Sequence, residues 1–296
     1  CKFTHLRAIH QYQQAFVNMK IAKNRQELSN CLNSEAPIGF VPTMGALHDG
    51  HLSLVQESKS RGLFTVASIF VNPTQFNDPK DFEKYPIDTD ADLKKLESVG
   101  CDIVFLPDPE DIYSTDEEKQ YVHDFGDVET RFEGAFRPGH FKGVGQVVHI
   151  LFDLVKPNVA FFGQKDFQQL QVIKQLVGQE NLPIEIVGMP TVREDDGLAM
   201  SSRNRRLNKG QRSEATLLHK ALTYSKTSLK RQSFNHIRQE VQSMFADSAE
   251  LELEYFDIIY PDQFIPADRF HEAKTYHAII SAYAGEIRLI DNMQLA

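Results

Sequence analysis

The chain has 296 residues, room for two domains, and its 41% hydrophobic and 25% charged content is that of a globular protein with a real core. A formal net charge of −9, with a single short basic run at Arg203–Arg206, argues against nucleic acid as a partner. Cys1, Cys31 and Cys101 are too few and too scattered for a disulfide framework or a zinc site, and no apolar run nears the roughly 18 residues of a membrane span; a cytoplasmic protein without a membrane partner is expected.

MKIAKNRQELSNCL from Met19 reads as an opening strand and helix, so residues 1–18 are expected to lie outside the fold. Ile38–Val41 reads as a buried strand ended by Pro42, and His51–Ser60 as a helix with Leu52 and Val55 on one face. Phe64–Val71 is a second strand, stopped by Asn72-Pro73. Leu93, Leu96 and Val99 mark one face of a helix that ends at Gly100, and Ile103–Leu106 is a third strand. Val147–Val155 looks helical up to Pro157-Asn158, Val159–Phe162 is a fourth strand, and Asp166–Val177 is a helix with Phe167, Leu170 and Ile173 inward. Ile184–Val187 is a fifth strand.

Apolar strands alternating with helices predict a Rossmann-like, doubly wound parallel α/β sheet over residues 19–190, with ligands beyond the carboxyl ends of its strands. Past residue 190 the pattern changes. Ser213–Leu229 and Phe234–Phe245 look helical, Tyr255–Tyr260 looks like a strand, and Ala278–Ile290 like a strand pair turning at Gly285. A smaller C-terminal α+β domain over residues 191–296 is expected.

Four segments carry chemistry. PTMGALHDGH, Pro42–His51, follows a strand and opens a helix. Gly45 and Gly50 permit close backbone approach, the helix start favours an anion, and His48 and His51 add donors. FVNPTQF at Phe70–Phe76 presents Gln75, whose amide can both donate and accept. FFGQKDFQQ at Phe161–Gln169 repeats the strand, glycine, helix arrangement; Lys165 is a mobile charge for phosphates, Asp166 a candidate helix cap, and Gln169 lies one turn from Lys165 on the same side. VREDDGLAMSSRN at Val192–Asn204 offers the hydroxyls of Ser201 and Ser202 and the guanidinium of Arg203 to phosphate oxygens. Arg137, His140 and Lys142 in RPGHFKGV read as structural first and pocket-forming second, and Asp88, Asp90 and Asp92 as a solvated helix start first and a magnesium-facing stretch second.

The first segment resembles the HxGH-type loop of the nucleotidyltransferase superfamily, in the form found in the pantothenate synthetase (pantoate–β-alanine ligase) family. RPGHFKGV, the other three segments and AYAGEIRLIDN at Ala282–Asn292 resemble that family in the same order, from about Met19 to the C-terminus. AMSSRN resembles the superfamily's KMSKS-type loop, which would place it on a lid over ATP. Many family members carry Glu where this chain has Gln164, so a charged role there is not expected.

The resemblance implies ATP-dependent condensation of (R)-pantoate with β-alanine through pantoyl adenylate, releasing AMP and pyrophosphate, in a homodimer. It implies a catalytic, proton-donating role for His51. ATP would meet Met44, Gly45, Ala46, Leu47, His48, Asp49, Gly50 and His51, then Gly163, Gln164, Lys165 and Asp166, then Val192, Met200, Ser201, Ser202 and Arg203. Gln75 and Gln169 would bind pantoate, and Gln75 later β-alanine. ATP brings Mg2+, held through phosphates and water, so no protein ligand is assigned to the metal. Two alternatives stay open: another HxGH nucleotidyltransferase that stops at nucleotidyl transfer, and a nucleotide-binding sensor without catalysis.

Overall fold

The computed structural model describes residues 19–32, 35–76, 82–121 and 123–296; the expectation for residues 1–18 falls outside them. Strand β1 (Lys20–Ala22) leads into helix α1 (Arg25–Cys31), whose first turn is capped by the Asn24 side chain accepting from Glu27 N–H. There follow β2 (Ile38–Thr43), α2 (Asp49–Ser60), β3 (Phe64–Ile69), α3 (Thr89–Ser98), β4 (Ile103–Phe105), α4 (His140–Val155), β5 (Val159–Gly163), α5 (Phe167–Gln179) and β6 (Glu185–Met189). Short helical turns between residues 109 and 136 fill the passage from β4 to α4.

The six strands form one parallel sheet in the order β1-β4-β3-β2-β5-β6. Chain order runs one way from β2 to β3 and β4 and the other way from β5 to β6, so β2 and β5 flank the switch point where such sheets bind ligands. Both faces are buried. Phe40, Ile103 and Ile173 pack on the side of α1, α4 and α5, while Val41, Val55 and Leu96 pack on the side of α2 and α3. Doubly wound α/β architecture is therefore the fold, as the alternating pattern predicts.

Strand β2 does not end at Pro42 but runs through it to Thr43, paired with Ser68 and Ile69 of β3, and other boundaries moved for physical reasons. Helix α4 begins at His140, seven residues before the expected Val147, because Gly143 and Gly145 do not break it. Each is required by a close approach: a Cβ at Gly143 would sit 2.5 Å from Thr74 O, and one at Gly145 would sit 2.5 Å from the Phe125 ring. Strand β3 stops at Ile69, short of Val71, and Asn72 caps a 3-10 turn over Pro73–Gln75. The expected helix Ser213–Leu229 is two helices, Lys209–Glu214 and α6 (Leu217–Ser228), with the Thr216 hydroxyl donating to Ser213 O at the joint.

After α6 come α7 (Phe234–Ala246), β7 (Glu252–Tyr260), β8 (Ile265–Pro266), β9 (His277–Ala284) and β10 (Ile287–Gln294). These strands make a separate antiparallel sheet ordered β10-β9-β7-β8, with α6 and α7 packed on it through Leu218, Leu222, Phe234, Ile237 and Val241. A part-buried ion network ties the C-terminal sheet to the helical turn that begins at Glu133. Arg288 on β10 donates through both Nη atoms to the Glu133 carboxylate at 2.6 Å and through Nε to Glu254 at 2.8 Å, and Tyr255 Oη donates to Glu133 at 2.6 Å.

Candidate active site

A cavity of about 210 Å³ opens at the switch point beyond β2 and β5. One end is polar: His48, His51, Lys165, Asp166, Ser201, Ser202 and Arg203. The other is walled by Phe70, Phe76, Val144, Val147, Val148 and Leu151. Of the residues singled out in the sequence, Met44, Gly50, Gln75, Gly163, Gln169, Val192 and Met200 also line it. Gly45, Ala46, Leu47, Asp49 and Gln164 do not.

The first of these exceptions has a structural cause. Gly45 and Ala46 take left-handed backbone, φ +81° and +51°, which turns the chain sharply off β2. Ala46 N–H and Leu47 N–H both donate to the buried carboxylate of Asp92, at 2.7 and 2.8 Å, while Lys95 Nζ donates to Leu47 O at 2.6 Å. Those two N–H groups are spent and unavailable to phosphate. Asp92 is accordingly no solvated helix start. It is 2% exposed and braces the loop from α3, whereas Asp88 caps α3 by accepting from Ala91 N–H. Alternating acids in the sequence gave no sign of which one turns inward.

The loop then delivers two imidazoles, with ring centroids 4.1 Å apart. His51 Nδ1 accepts from His48 N–H at 3.3 Å, so the neutral ring carries its proton on Nε2. Burial, then the neighbouring His48, Lys165 and Lys95, holds His51 well below its ordinary value. Burial and the charge of Lys165 pull His48 down to about 4. Both rings are therefore neutral donors near pH 7 before any ligand enters, so His51 begins as a neutral hydrogen-bond donor, not as an imidazolium.

At the end of β5, Gln164–Asp166 forms a 3-10 turn ahead of α5. Lys165 Nζ lies 3.6 Å from the Asp166 carboxylate. Asp166 occupies the N-cap of α5 yet makes no side-chain cap bond, so the expected capping role is not realised and its half-exposed carboxylate faces the cavity. Gln164 turns away from the cavity and donates through Nε2 to Gly188 O at 3.2 Å.

Gln75 is 7% exposed and held from three sides. Asn72 Nδ2 donates to its Oε1 at 3.3 Å, its own Nε2 donates to Met44 Sδ, and its backbone carbonyl accepts from His140 Nδ1 at 2.7 Å. The bond to Gln75 O puts the His140 proton on Nδ1, leaving Nε2 to accept from Arg137 Nη1 at 3.1 Å. Burial and Arg137 lower His140 to about 3, consistent with a neutral ring. Arg137 and His140 thus line the cavity while supporting Gln75; Lys142 does not line it and lies 3.6 Å from Glu129. Two residues of the cavity wall carried no functional mark in the sequence: Asn72, 1% exposed, whose Oδ1 accepts from Tyr113 Oη at 2.7 Å, and Tyr85. NP looked like a turn signal and nothing more.

Ser201 caps the 3-10 turn Ser202–Arg206, accepting from Arg203 N–H, and still lines the cavity with Ser202 and Arg203. A second cavity of about 370 Å³ adjoins the first, sharing Arg137, Lys165, Asp166, Ser201 and Arg203 and reaching Tyr283 and Arg288 of the C-terminal sheet. Among the described residues no group of three or more His, Cys, Asp or Glu side chains is arranged to hold a metal ion, and no helix is long and apolar enough to cross a membrane.

Such a site fits an acid-activating ligase, and the comparisons decide which. The pantoate–β-alanine ligase family model matches residues 17–294. The chain belongs to the pantoate–β-alanine ligase family. Pantothenate synthetase of Christiangramia forsetii is 46% identical over 259 residues, 87% of this chain and 91% of that protein. Its counterpart from Bacteroides thetaiotaomicron is 44% identical over 257 residues, 87% and 90% of the two chains. The crystal structure of pantothenate synthetase from Thermus thermophilus superposes with a TM-score of 0.88 at 37% identity, covering 94% of this chain and 99% of that one. The Francisella tularensis pantoate–β-alanine ligase, solved with β-γ ATP and β-alanine, gives 0.75 at 33% identity, covering 94% and 98%. Membership selects a carbon–nitrogen ligase over the transferase and sensor alternatives.

Proposed function

We propose that this chain condenses (R)-pantoate with β-alanine at the expense of ATP, in two half-reactions within the switch-point cavity. A pantoate carboxylate oxygen attacks the α-phosphorus of ATP and pyrophosphate leaves, giving pantoyl adenylate. The β-alanine amine then attacks the activated carbonyl, AMP leaves, and the amine loses its proton. One observation carries the reading: the cavity has a cationic, donor-rich end next to an apolar end fixed by a buried glutamine. The first suits a triphosphate, the second a short acid bearing geminal methyl groups.

Adenylation asks the protein to position reactants and to stabilise charge spreading onto the leaving phosphates. His51, as the catalytic residue, donates through Nε2–H to a phosphate oxygen. His48, Lys165, Ser201, Ser202 and Arg203 supply further donors, with the backbone near Gly50, Gly163, Asp166, Val192 and Met200 forming the remaining nucleotide wall. Approach of the phosphates raises both depressed imidazole pKa values, so proton uptake accompanies ATP binding. Gln75 and Gln169 bind the pantoate carboxylate and hydroxyls, and Gln75 afterwards meets β-alanine. Mg2+ brought in with ATP would supply neutralisation of the phosphate charge. Asp166 is the carboxylate on the cavity wall that suits its water shell.

Residues 19–190 bind nucleotide and pantoate, and residues 191–296 serve as the lid carrying the MSSR loop. A homodimer in the cytoplasm is part of this reading, supported by the family resemblance. Sedimentation of the full chain at micromolar concentration tests the dimer. AMP release, assayed with each substrate omitted in turn, tests the reaction: pyrophosphate is expected without β-alanine, AMP only with it. AMP release independent of pantoate would overturn the reading.

A further inference from the structure

Strand β10 is the edge of the C-terminal sheet, and its consecutive residues Asp291 and Asn292 point to opposite sides. Both are buried, at 4% and 7% exposure. Asn292 Nδ2 donates to two backbone carbonyls of the GQKD turn, Gln164 O at 2.9 Å and Lys165 O at 2.7 Å. Its Oδ1 pairs with His277 Nε2 at 2.7 Å. Both donors of that amide are used, and its orientation follows: two donors toward two carbonyls, the oxygen toward an imidazole N–H. The His277 ring in turn stacks on Phe167, the first residue of α5, with centroids 3.8 Å apart and planes 4° from parallel. The turn that carries Lys165 is thus gripped at its carbonyls and at the ring that follows it.

On the other side, Asp291 receives Arg193 through both Nη atoms, at 2.6 and 2.9 Å. Arg193 Nη1 also donates to Gly197 O at 3.0 Å, closing the small hairpin in which Arg193 pairs with Ala199. Met200, Ser201 and Ser202 follow directly. Two adjacent residues of one strand therefore hold both of the segments that face each other across the phosphate end of the cavity.

We propose that Asp291 and Asn292 are positioning residues: a two-sided clamp that sets the Lys165 turn and the MSSR loop at a fixed separation for ATP. It rests on the assignment of Lys165 and Arg203 to ATP made above. Asn292 lines neither cavity and Asp291 lines only the adjoining one, so they act through the segments they hold. Displacement of a donor by about 1 Å costs on the order of 10²-fold in rate.

The test is a double-mutant cycle on single-turnover pantoyl-adenylate formation by the full chain. Asn292→Asp keeps the size and removes the donors. It is expected to slow adenylation about 10- to 100-fold and raise KM for ATP, with KM for β-alanine unchanged. In a Lys165→Ala background the same substitution should add less than about threefold, because the group it positions is gone. Asp291→Asn is expected to show the same masking against Arg203→Ala. His277→Phe keeps the stack on Phe167 but frees the amide. It should give a smaller loss in the same direction, also masked by Lys165→Ala, and it decides the matter if Asn292→Asp fails to fold. Multiplicative losses in the double variants, or unchanged KM for ATP in Asn292→Asp and His277→Phe, overturn the clamp. A fully active Lys165→Ala instead overturns the ATP assignment beneath it.

Discussion

The two cavity-lining segments that follow β2 and β5 are braced in opposite ways. The loop after β2 is held from within its own half of the chain, by Asp92 and Lys95 on α3. The turn after β5 is held by Asn292, from the far end of the sequence. One brace is set once the parallel sheet and α3 have packed. The other exists only while the C-terminal sheet is docked. The histidine loop is thus a part of the cavity wall held within its own domain, and the lysine turn a part whose position reports on the neighbouring domain.

The largest expected effect bears on what the two segments share. His51→Ala and Lys165→Ala should each slow single-turnover adenylation on the order of 10²-fold or more, as loss of one transition-state donor does. Near-normal adenylation in either would remove that segment from the comparison.

Next comes the brace of the histidine loop. Asp92→Ala orphans two buried N–H groups, at roughly 1–3 kcal/mol each. Urea denaturation should register the loss as a lower midpoint. Asp92→Asn keeps one acceptor and should lose less. Unchanged midpoints in both would mean that the loop holds its shape without α3.

A smaller effect separates the acid end from the phosphate end. His140→Ala removes the donor to Gln75 O, and it should raise KM for pantoate about tenfold with little change in KM for ATP. Equal changes in both constants would show that the two ends are not independent.

The last test is in pH. His48 and His140 are depressed to about 4 and about 3, so the unfolded chain binds more protons than the folded one below pH 6.5. Their contribution to stability is complete above about 6.5 and is lost as pH falls toward 4 and then 3. Melting temperature should fall over that window, and His140→Asn should flatten its lower part. A melting temperature independent of pH between 6.5 and 4 would contradict the neutral, buried state of these rings.

The strand–helix alternation could be followed in the sequence because each buried parallel strand is an apolar run and each helix shows a periodic face. Helix α4 hid its first two turns because glycine carries no mark of why it is there. At Gly143 and Gly145 the reason is a close neighbour distant in sequence. Asp92, Asn72 and Asn292 were illegible for a related cause. A polar side chain that satisfies backbone groups elsewhere looks the same in sequence as one that faces water.

By itself the sequence determined the parallel sheet, the order of the four chemical segments and the family to which they belong, because local periodicity and long ordered strings are properties of neighbouring residues. Only the tertiary structure decided which members of those strings reach the cavity. It turned Ala46 and Leu47 inward to Asp92, left Asp166 without its cap bond, and set Asn292 against the lysine turn. The first depends on the packing of α3 against the parallel sheet and the last on the docking of the two sheets, and such packing is a property of the whole chain.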